Sequence, residues 1–483
     1  MHHRNPYKAG VDFRALAEHH KSLGVHLRNG STIDFRDEEA QRELTKAILK
    51  CDFGIEIELP EDRLCPPVPN RLNYVLWIQD VMENTSGQGS ISEGEKSGGG
   101  KIRGLDVGTG SSVIYPLLAT SLEAEWEMVG TELDPRSYDF AKLNVEKNGL
   151  SSRIEIRKGE EERLLPFLPD EEFDFTMCNP PFYSSYEEIR QLQAEKEELP
   201  AQVCTGGELE MVYPASKDET QEDWEREGGE VAFVGRMVVE SLKLRERCRW
   251  YTSMLGKMSS VPKIVDLLKR HQIWNYVVTE FIQGRTRRWA VGWSFGQWRV
   301  PDDVGRLSHL PPSHPLYKIQ PQRTTLTHPM GATSEEHLRR QLTSTLEALA
   351  QDDRFIFMPG VKPSTFVVKA AEPVWSRALR RKRKRQVEGG EDEEVPCKQP
   401  RIESQVTSKV QDPGLRASST TSSAVVGDES WALVCLVDFV DRSDRAVMDL
   451  RFQWVYGQDR GVFEGFASHV GKKVQTLARE SVP

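Results

Sequence analysis

The sequence predicts an α/β protein on an open sheet, followed by a smaller α+β domain. Three observations carry this. Strand and helix signals alternate from 101 to 296, the pattern of a sheet flanked by helices. A small-residue stretch, "LDVGTGSSV" at 105–113, joins an apolar strand to a helix. Near 300 the composition shifts, and strand and helix signals return on both sides of a long polar run.

At 483 residues there is room for two or three domains. Hydrophobic residues are 38% and aromatics 8%, enough for a sizeable core. The low mean hydropathy leaves part of the chain unpacked. The net charge of −10 is unevenly spread, so it does not exclude a nucleic-acid partner. Seven cysteines are scattered with no CxxC pair, which argues against a zinc ribbon or redox motif and fits a reducing compartment. "MHHRNPYKAG" is too polar for a signal peptide, and no apolar run approaches the ~20 residues that span a bilayer. A soluble intracellular protein without a membrane partner is expected.

Residues 1–83 read as a charged helical module. "DEEAQRELTKAILKCDFG" has helical apolar spacing with acids first and lysine last, and stops at Gly54; "RLNYVLWIQDVM" follows as a second helix. Residues 84–100 are a Gly/Ser-rich flexible loop. Over 101–298, "IRGLDVG", "EMVGTEL", "RIEIRK", "FDFTMC" and "RWYTSML" read as strands separated by helices, and "NYVVTEFIQG" and "RRWAVGWSFG" as two strands joined by a turn. An acid-rich stretch, 184–230, is long enough for a lid or a disordered loop. Residues 299–322 read as a linker. Segments 323–376 and 428–478 are too small to fold apart and form one split α+β domain, interrupted by a disordered basic, acidic and Ser-rich insertion at 377–427.

Two motifs carry chemistry. In "LDVGTGSSV", Asp106, Gly108, Gly110 and Ser112 lie on a turn where the backbone and a helix N-terminus can approach a ligand. Glu132 ends the next strand, where an acid binds a ribose diol. This pattern is that of an S-adenosylmethionine site; the plainer alternative is a strand–helix turn. The second motif is "CNPPFY" at 178–183, on the fourth strand's end. The lone pair of an exocyclic amine is delocalised into its ring. Acceptors on its N–H bonds return density to nitrogen, and the Asn179 side-chain oxygen and Pro180 carbonyl can supply two. Pro181 stiffens the elbow, and Phe182 offers a face for a flipped-out base. The plainer alternative is a rigid turn.

These stretches, with "DFGIEIELPEDRLCPPVPNRLNYVLWIQD", "TGGELEMV", "EGGEVAFVGRMV" and "TEFIQGRTRRWAVGWSF", resemble the methyltransferase-like-sixteen family over residues 1–298. Those enzymes are U6 small nuclear RNA N6-adenosine methyltransferases, related to bacterial ribosomal RNA adenine methyltransferases. The resemblance implies a class I, Rossmann-like domain with a seven-stranded sheet and S-adenosylmethionine as cofactor. It implies that Arg71 reaches the cofactor carboxylate, that Gly108 and Ser112 are loop contacts, and that Glu132 is the ribose acid. Asn179, Pro180, Pro181 and Phe182 match the catalytic tetrad. Arg285 and Arg288 match RNA-holding arginines, and Arg4 and Lys8 a basic N-terminal module. "GEEERLL" at 159–165 departs from relatives with a basic or hydroxyl contact there, so Arg163 is given no cofactor role. The acid-heavy loop after the tetrad also departs from relatives whose loop is basic and restrains activity.

Charge placement points to RNA as well. "KLRERCRWYTSMLGK", carrying Arg249 and Lys257, and "QGRTRRW" interleave basic residues with Trp and Tyr, as phosphate and base contacts would; a solvated helix end with core aromatics gives the same pattern. Trp289 and Trp293 alternate in a strand and are assigned to the core. "RRKRKR" at 380–385 reads as a nuclear address or RNA tether, with a solvated linker as alternative. His2 and His3 lack partner spacing, so they are placed in solvent and no metal is expected. The expectation is a nuclear, monomeric RNA N6-adenosine methyltransferase. A protein-glutamine methyltransferase, or an RNA-binding protein on a vestigial methyltransferase fold, is the alternative.

Overall fold

Residues 1–85, 101–188, 190, 212–216, 221–284, 286–331, 334–360, 364–377, 431–442 and 447–480 are described by the computed structural model. The expected flexible loop beyond Thr85, most of the 377–427 insertion and the 380–385 basic cluster lie outside these residues. The chain divides into two units, Met1–Thr325 and Leu326–Pro483.

The first unit opens with helices α1 (Phe13–His19) and α2 (Lys21–Gly24), then a two-stranded hairpin of β1 (Leu27–Arg28) and β2 (Thr32–Ile33). The N-terminal module is therefore not purely helical. Helix α3 (Glu38–Phe53) is capped by the Asp37 carboxylate on the Glu39 and Ala40 amides, and ends on left-handed Gly54. Helix α4 (Val68–Thr85) is buried on nearly every side, as a helix between other layers must be. The module is not a separate body. Leu16, Leu23 and Ile33 share one hydrophobic cluster with Trp77 of α4 and with Met128, Phe175 and Trp250 of the sheet.

The sheet contains β3 (Ile102–Val107), β4 (Trp126–Glu132), β5 (Ile154–Lys158), β6 (Phe173–Cys178), β7 (Cys248–Leu255), β8 (Tyr276–Gln283) and β9 (Thr286–Trp293), in the order β5-β4-β3-β6-β7-β9-β8. All pairings are parallel except those of β9 with β7 and β8. Helices α5 (Ile114–Leu122), α6 (Pro135–Lys147), α7 (Asp223–Glu227), α8 (Gly229–Leu244) and α9 (Ser260–Arg270) fill the connections. This is the expected seven-stranded Rossmann-like sheet. Its order reverses between β3 and β6, and such a switch point opens a crevice at the strands' carboxyl ends. Trp289 and Trp293 are buried, as their alternation predicts.

Two expectations need correction. Part of 184–230 is built: Val212 bridges to Tyr183, and α7 leads into α8. Residues 299–322 are not a free linker. Helix α10 (Asp302–Gly305) and a 3₁₀ turn (Pro315–Ile319) pack on the sheet, with Leu307 and Leu316 buried in its second cluster. Proline-rich composition marked an irregular backbone there but not its burial.

The second unit is a five-stranded antiparallel sheet, ordered β10 (Thr325–Gly331), β14 (Val447–Tyr456), β13 (Leu433–Arg442), β12 (Phe366–Ala370) and β11 (Phe355–Pro359). Helices α11 (Glu335–Leu349) and α12 (Arg460–Glu480) cover it, burying Leu342, Leu346, Phe463 and Phe466 against Phe355 and Trp454. Ala370 pairs with Leu433, so strands from both sides of the intervening segment share one ladder.

Candidate active site

The two motifs meet at the switch point. Val107 and Cys178 are direct partners in the β3–β6 ladder, so Gly108 and Asn179 leave neighbouring strands side by side. Pro180 and Pro181 offer no ladder donors, and the strand stops. The elbow is anchored from behind. The Cys178 N–H reaches the Tyr74 hydroxyl at 3.4 Å, Tyr74 bonds the Thr252 hydroxyl at 2.6 Å, and Thr252 donates to the Thr176 carbonyl at 2.7 Å.

Gly108 and Gly110 have φ of 70° and 67°, where a side chain is strained. An added Cβ at either would meet nothing within 4 Å, so the loop faces open space. That space is a cleft of about 1110 Å³ lined by Arg71, the 108–112 loop, Glu132, Leu133 and the whole Asn179–Phe182 elbow. The Glu132 carboxylate accepts the Gly110 N–H at 2.8 Å and the Asp134 N–H at 2.9 Å, so it shapes the loop it faces. No side chain caps α5, and Val113 before it is left-handed at φ 46°. Strain in a β-branched residue marks a backbone held for a purpose.

Arg71 is buried, and its Nη1 donates to the Tyr115 hydroxyl at 3.3 Å and to Asn179 Oδ1 at 3.1 Å. Asp106 departs from expectation. It is fully buried behind the loop and does not line the cleft. Burial, then the Glu132 charge, push its carboxyl up to about 7, against the Thr109 hydroxyl and Arg71. It lies beneath Thr109, Glu132 and Arg71, which do line the cleft. Arg163 borders the cleft and donates to the Leu165 and Phe167 carbonyls. The remaining residues fit S-adenosylmethionine: a buried guanidinium for its carboxylate, open glycine backbone, and an acid at the strand end for its ribose.

The predicted RNA residues fare unevenly. The Arg288 guanidinium lies 5.5 Å from the Phe182 ring centroid, which brings the β8–β9 hairpin over the elbow. Arg285 lies outside the described residues. Lys257 pairs with Glu188 and sits 5.4 Å from the Tyr183 ring centroid. Arg249 pairs with Asp174 at 2.6 Å and begins β7, at the opposite end of the strand from the elbow. It is too far to serve the same groove. Lys8 is exposed, whereas Arg4 is committed to Asp80 and the Leu76 carbonyl. His2 is not in solvent: its Nε2 lies 2.8 Å from Asp80 Oδ2. His2, His3 and Asp80 bring potential ligand atoms within 4.8 Å of one another, on a carboxylate that already holds Arg4.

One wall of the cleft escaped the sequence reading. Tyr213, Phe233 and Arg236 line it. Tyr213 N–H donates to the Tyr183 carbonyl at 2.9 Å, and its own carbonyl accepts the Gly229 N–H at 2.7 Å. "EGGEVAFVGRMV" held the signal: paired glycines before a helix, both left-handed in the structure.

Comparison with known proteins then decides the family. An RNA methyltransferase family profile matches residues 1–297. The chain belongs to this RNA methyltransferase family. Among its relatives, the zebrafish (Danio rerio) RNA N(6)-adenosine-methyltransferase mettl16 is 33% identical over 95% of this chain and 94% of its own. The Schizosaccharomyces pombe U6 small nuclear RNA (adenine-(43)-N(6))-methyltransferase is 37% identical over 93% and 96%. Among solved members, the human (hMettl16) catalytic domain in complex with MAT2A 3′UTR hairpin 1 superposes with a TM-score of 0.52 at 37% identity, covering 61% of this chain and 95% of that one. The chain is thus an RNA methyltransferase, and its elbow and cleft adjoin at the switch point.

Proposed function

We propose that the chain methylates N6 of an adenosine in a structured RNA, with U6 small nuclear RNA as its acceptor and S-adenosylmethionine as its cofactor. The observation that carries this is the ladder pairing of Val107 with Cys178, which sets the glycine loop beside the Asn179 elbow. The zebrafish and S. pombe relatives, named for adenosine N6 methylation over nearly the full chain, support the acceptor.

Bound in the cleft, the cofactor supplies an electrophilic methyl whose transfer leaves a neutral thioether. Arg71 would hold its carboxylate end, Gly108 and Ser112 would contact it along the loop, and Glu132 would hold its ribose. Asn179 Oδ1 and the Pro180 carbonyl accept the N–H bonds of the adenine amine. An amide oxygen has two lone pairs, so Oδ1 can serve the amine while Arg71 holds it. Phe182 stacks the flipped base, and Arg288 and Lys8 hold phosphates. The amine proton leaves to solvent once nitrogen carries the methyl. Positioning and amine polarisation supply the acceleration. The protein acts as a monomer in the nucleus, with "RRKRKR" at 380–385 as its address.

The test is transfer from methyl-labelled S-adenosylmethionine to a U6 transcript, followed by nucleoside mass spectrometry. N6-methyladenosine that disappears with Asn179→Ala supports the reading. Label in protein, or none in the RNA, overturns it.

A further inference from the structure

Glu230 is a carboxylate that the chemistry above leaves unused, although it is only 2% exposed. It stands in the first turn of α8 and reaches across to the end of β7. Its Oε2 accepts the Gly256 N–H at 2.5 Å and its Oε1 accepts the Lys257 N–H at 2.9 Å. The nearby Ser260 hydroxyl also favours its ionised form, against the burial that raises its carboxyl. Donors converging on a desolvated carboxylate make short bonds that fix geometry.

What they fix is the floor beneath Phe182. A Cβ on Gly256 would lie 2.7 Å from Phe182 Cδ1, so the ring rests directly on that glycine. A Cβ on Gly229, the residue before Glu230, would lie 3.1 Å from the Phe182 carbonyl oxygen. Glu230 thus joins two glycines that touch Phe182, one at its ring and one at its main chain. Phe182 itself is 8% exposed and borders the cleft.

We propose that Glu230 is a positioning residue for methyl transfer: it holds Gly256, and through Gly256 the plane of the Phe182 ring on which the acceptor base stacks. This rests on the functional reading above and adds to it a residue that touches neither cofactor nor RNA. Its effect belongs to the acceptor side of the site. The cofactor side, built by Arg71, Gly108 and Glu132, makes no contact with it.

The test uses the full chain and two variants that disturb the ring from different directions. Glu230→Gln keeps the volume but can set an amide N–H against a main-chain N–H. Gly256→Ala keeps the Glu230 carboxylate in the chain but sets a methyl 2.7 Å from the ring and 3.2 Å from Glu230 Oε2. Both are expected to slow single-turnover methylation of U6 RNA about tenfold or more, with S-adenosylhomocysteine affinity within about twofold of the unaltered chain. Fluorescence of 2-aminopurine, placed at the adenosine that the unaltered chain methylates, should show weaker stacking in both. Transfer by Glu230→Gln at the unaltered rate overturns the inference alone. So does a loss of S-adenosylhomocysteine affinity in step with the rate, which marks a residue that merely holds the fold. If the unaltered chain labels no adenosine, the functional reading falls and takes this inference with it.

Discussion

Arg71 Nη1 donates to Asn179 Oδ1 at 3.1 Å, joining the residue assigned to the cofactor carboxylate with the residue assigned to the acceptor amine. One guanidinium therefore bears on both substrates. It comes from α4, while Asn179 comes from the end of β6.

Arg71→Ala should weaken S-adenosylhomocysteine binding roughly tenfold to a hundredfold, the worth of a charged hydrogen bond at a buried site. It should also lower the rate at saturating cofactor, because Asn179 loses its tether. Calorimetry with single-turnover kinetics separates the two effects. A variant that changes affinity alone would show that the bond to Asn179 is incidental.

Glu132→Ala removes the acceptor of the Gly110 and Asp134 amides, so cofactor affinity should fall by about tenfold or more. Glu132→Gln keeps one acceptor oxygen and should lose less. Equal losses would place the effect in the charge rather than in the loop geometry. Equilibrium binding of S-adenosylhomocysteine reads this directly.

Arg288→Ala should lower RNA affinity and reduce the slope of log affinity against log salt by about one unit, as the loss of one phosphate contact does. Arg249→Ala should leave that slope unchanged, since Arg249 pairs with Asp174 at the far end of β7. Fluorescence anisotropy across a salt series distinguishes them. A matching fall for Arg249→Ala would return that residue to the RNA interface.

Acid stability should depend on Glu171. Burial raises its carboxyl, but hydrogen bonds from Arg157 and the Leu168 amide and the charges of Arg157 and Arg103 hold it down at about 2. A folded value below the unfolded one means that the ionised form stabilises the fold. The contribution is complete above the ordinary value near 4.5 and is lost as pH falls toward 2. Glu171→Gln should lower Tm at pH 7 and flatten the fall of Tm between about pH 5 and 3. An unchanged slope in the variant would sink this assignment.

Much of this molecule can be read from its chain. Strands appear where apolar runs stop at Gly, Asp or Pro, and helices where apolar spacing follows a cap, so the seven sheet strands and the longer helices from α3 to Trp293 were legible, but not the short α1, α2, β1, β2 and α7. The elbow and loop were legible for a different reason: each needs residues with unusual backbones, and Gly108, Gly110, Pro180 and Pro181 supply them. Direction and depth were not. Asp106 belongs to the loop pattern, but its full burial shows only in the folded sheet. Arg249 and Lys257 share one basic stretch, yet β7 carries them to opposite ends. Tyr213 and Glu230 meet the elbow through the return of a long connection, a contact between segments distant in the chain that local pattern does not encode.

The pairing of Ala370 with Leu433 has a consequence for how the second unit tolerates change. The chain departs from the sheet and rejoins it at adjacent positions, so the ends of the intervening segment are already brought together by the ladder. Closure entropy grows only slowly with loop length, by about 0.6 kcal/mol per doubling. Lengthening or shortening that segment beyond the buried Val374 and Trp375 should leave the neighbouring strands in register, and a chain broken there should yield two pieces that still co-elute.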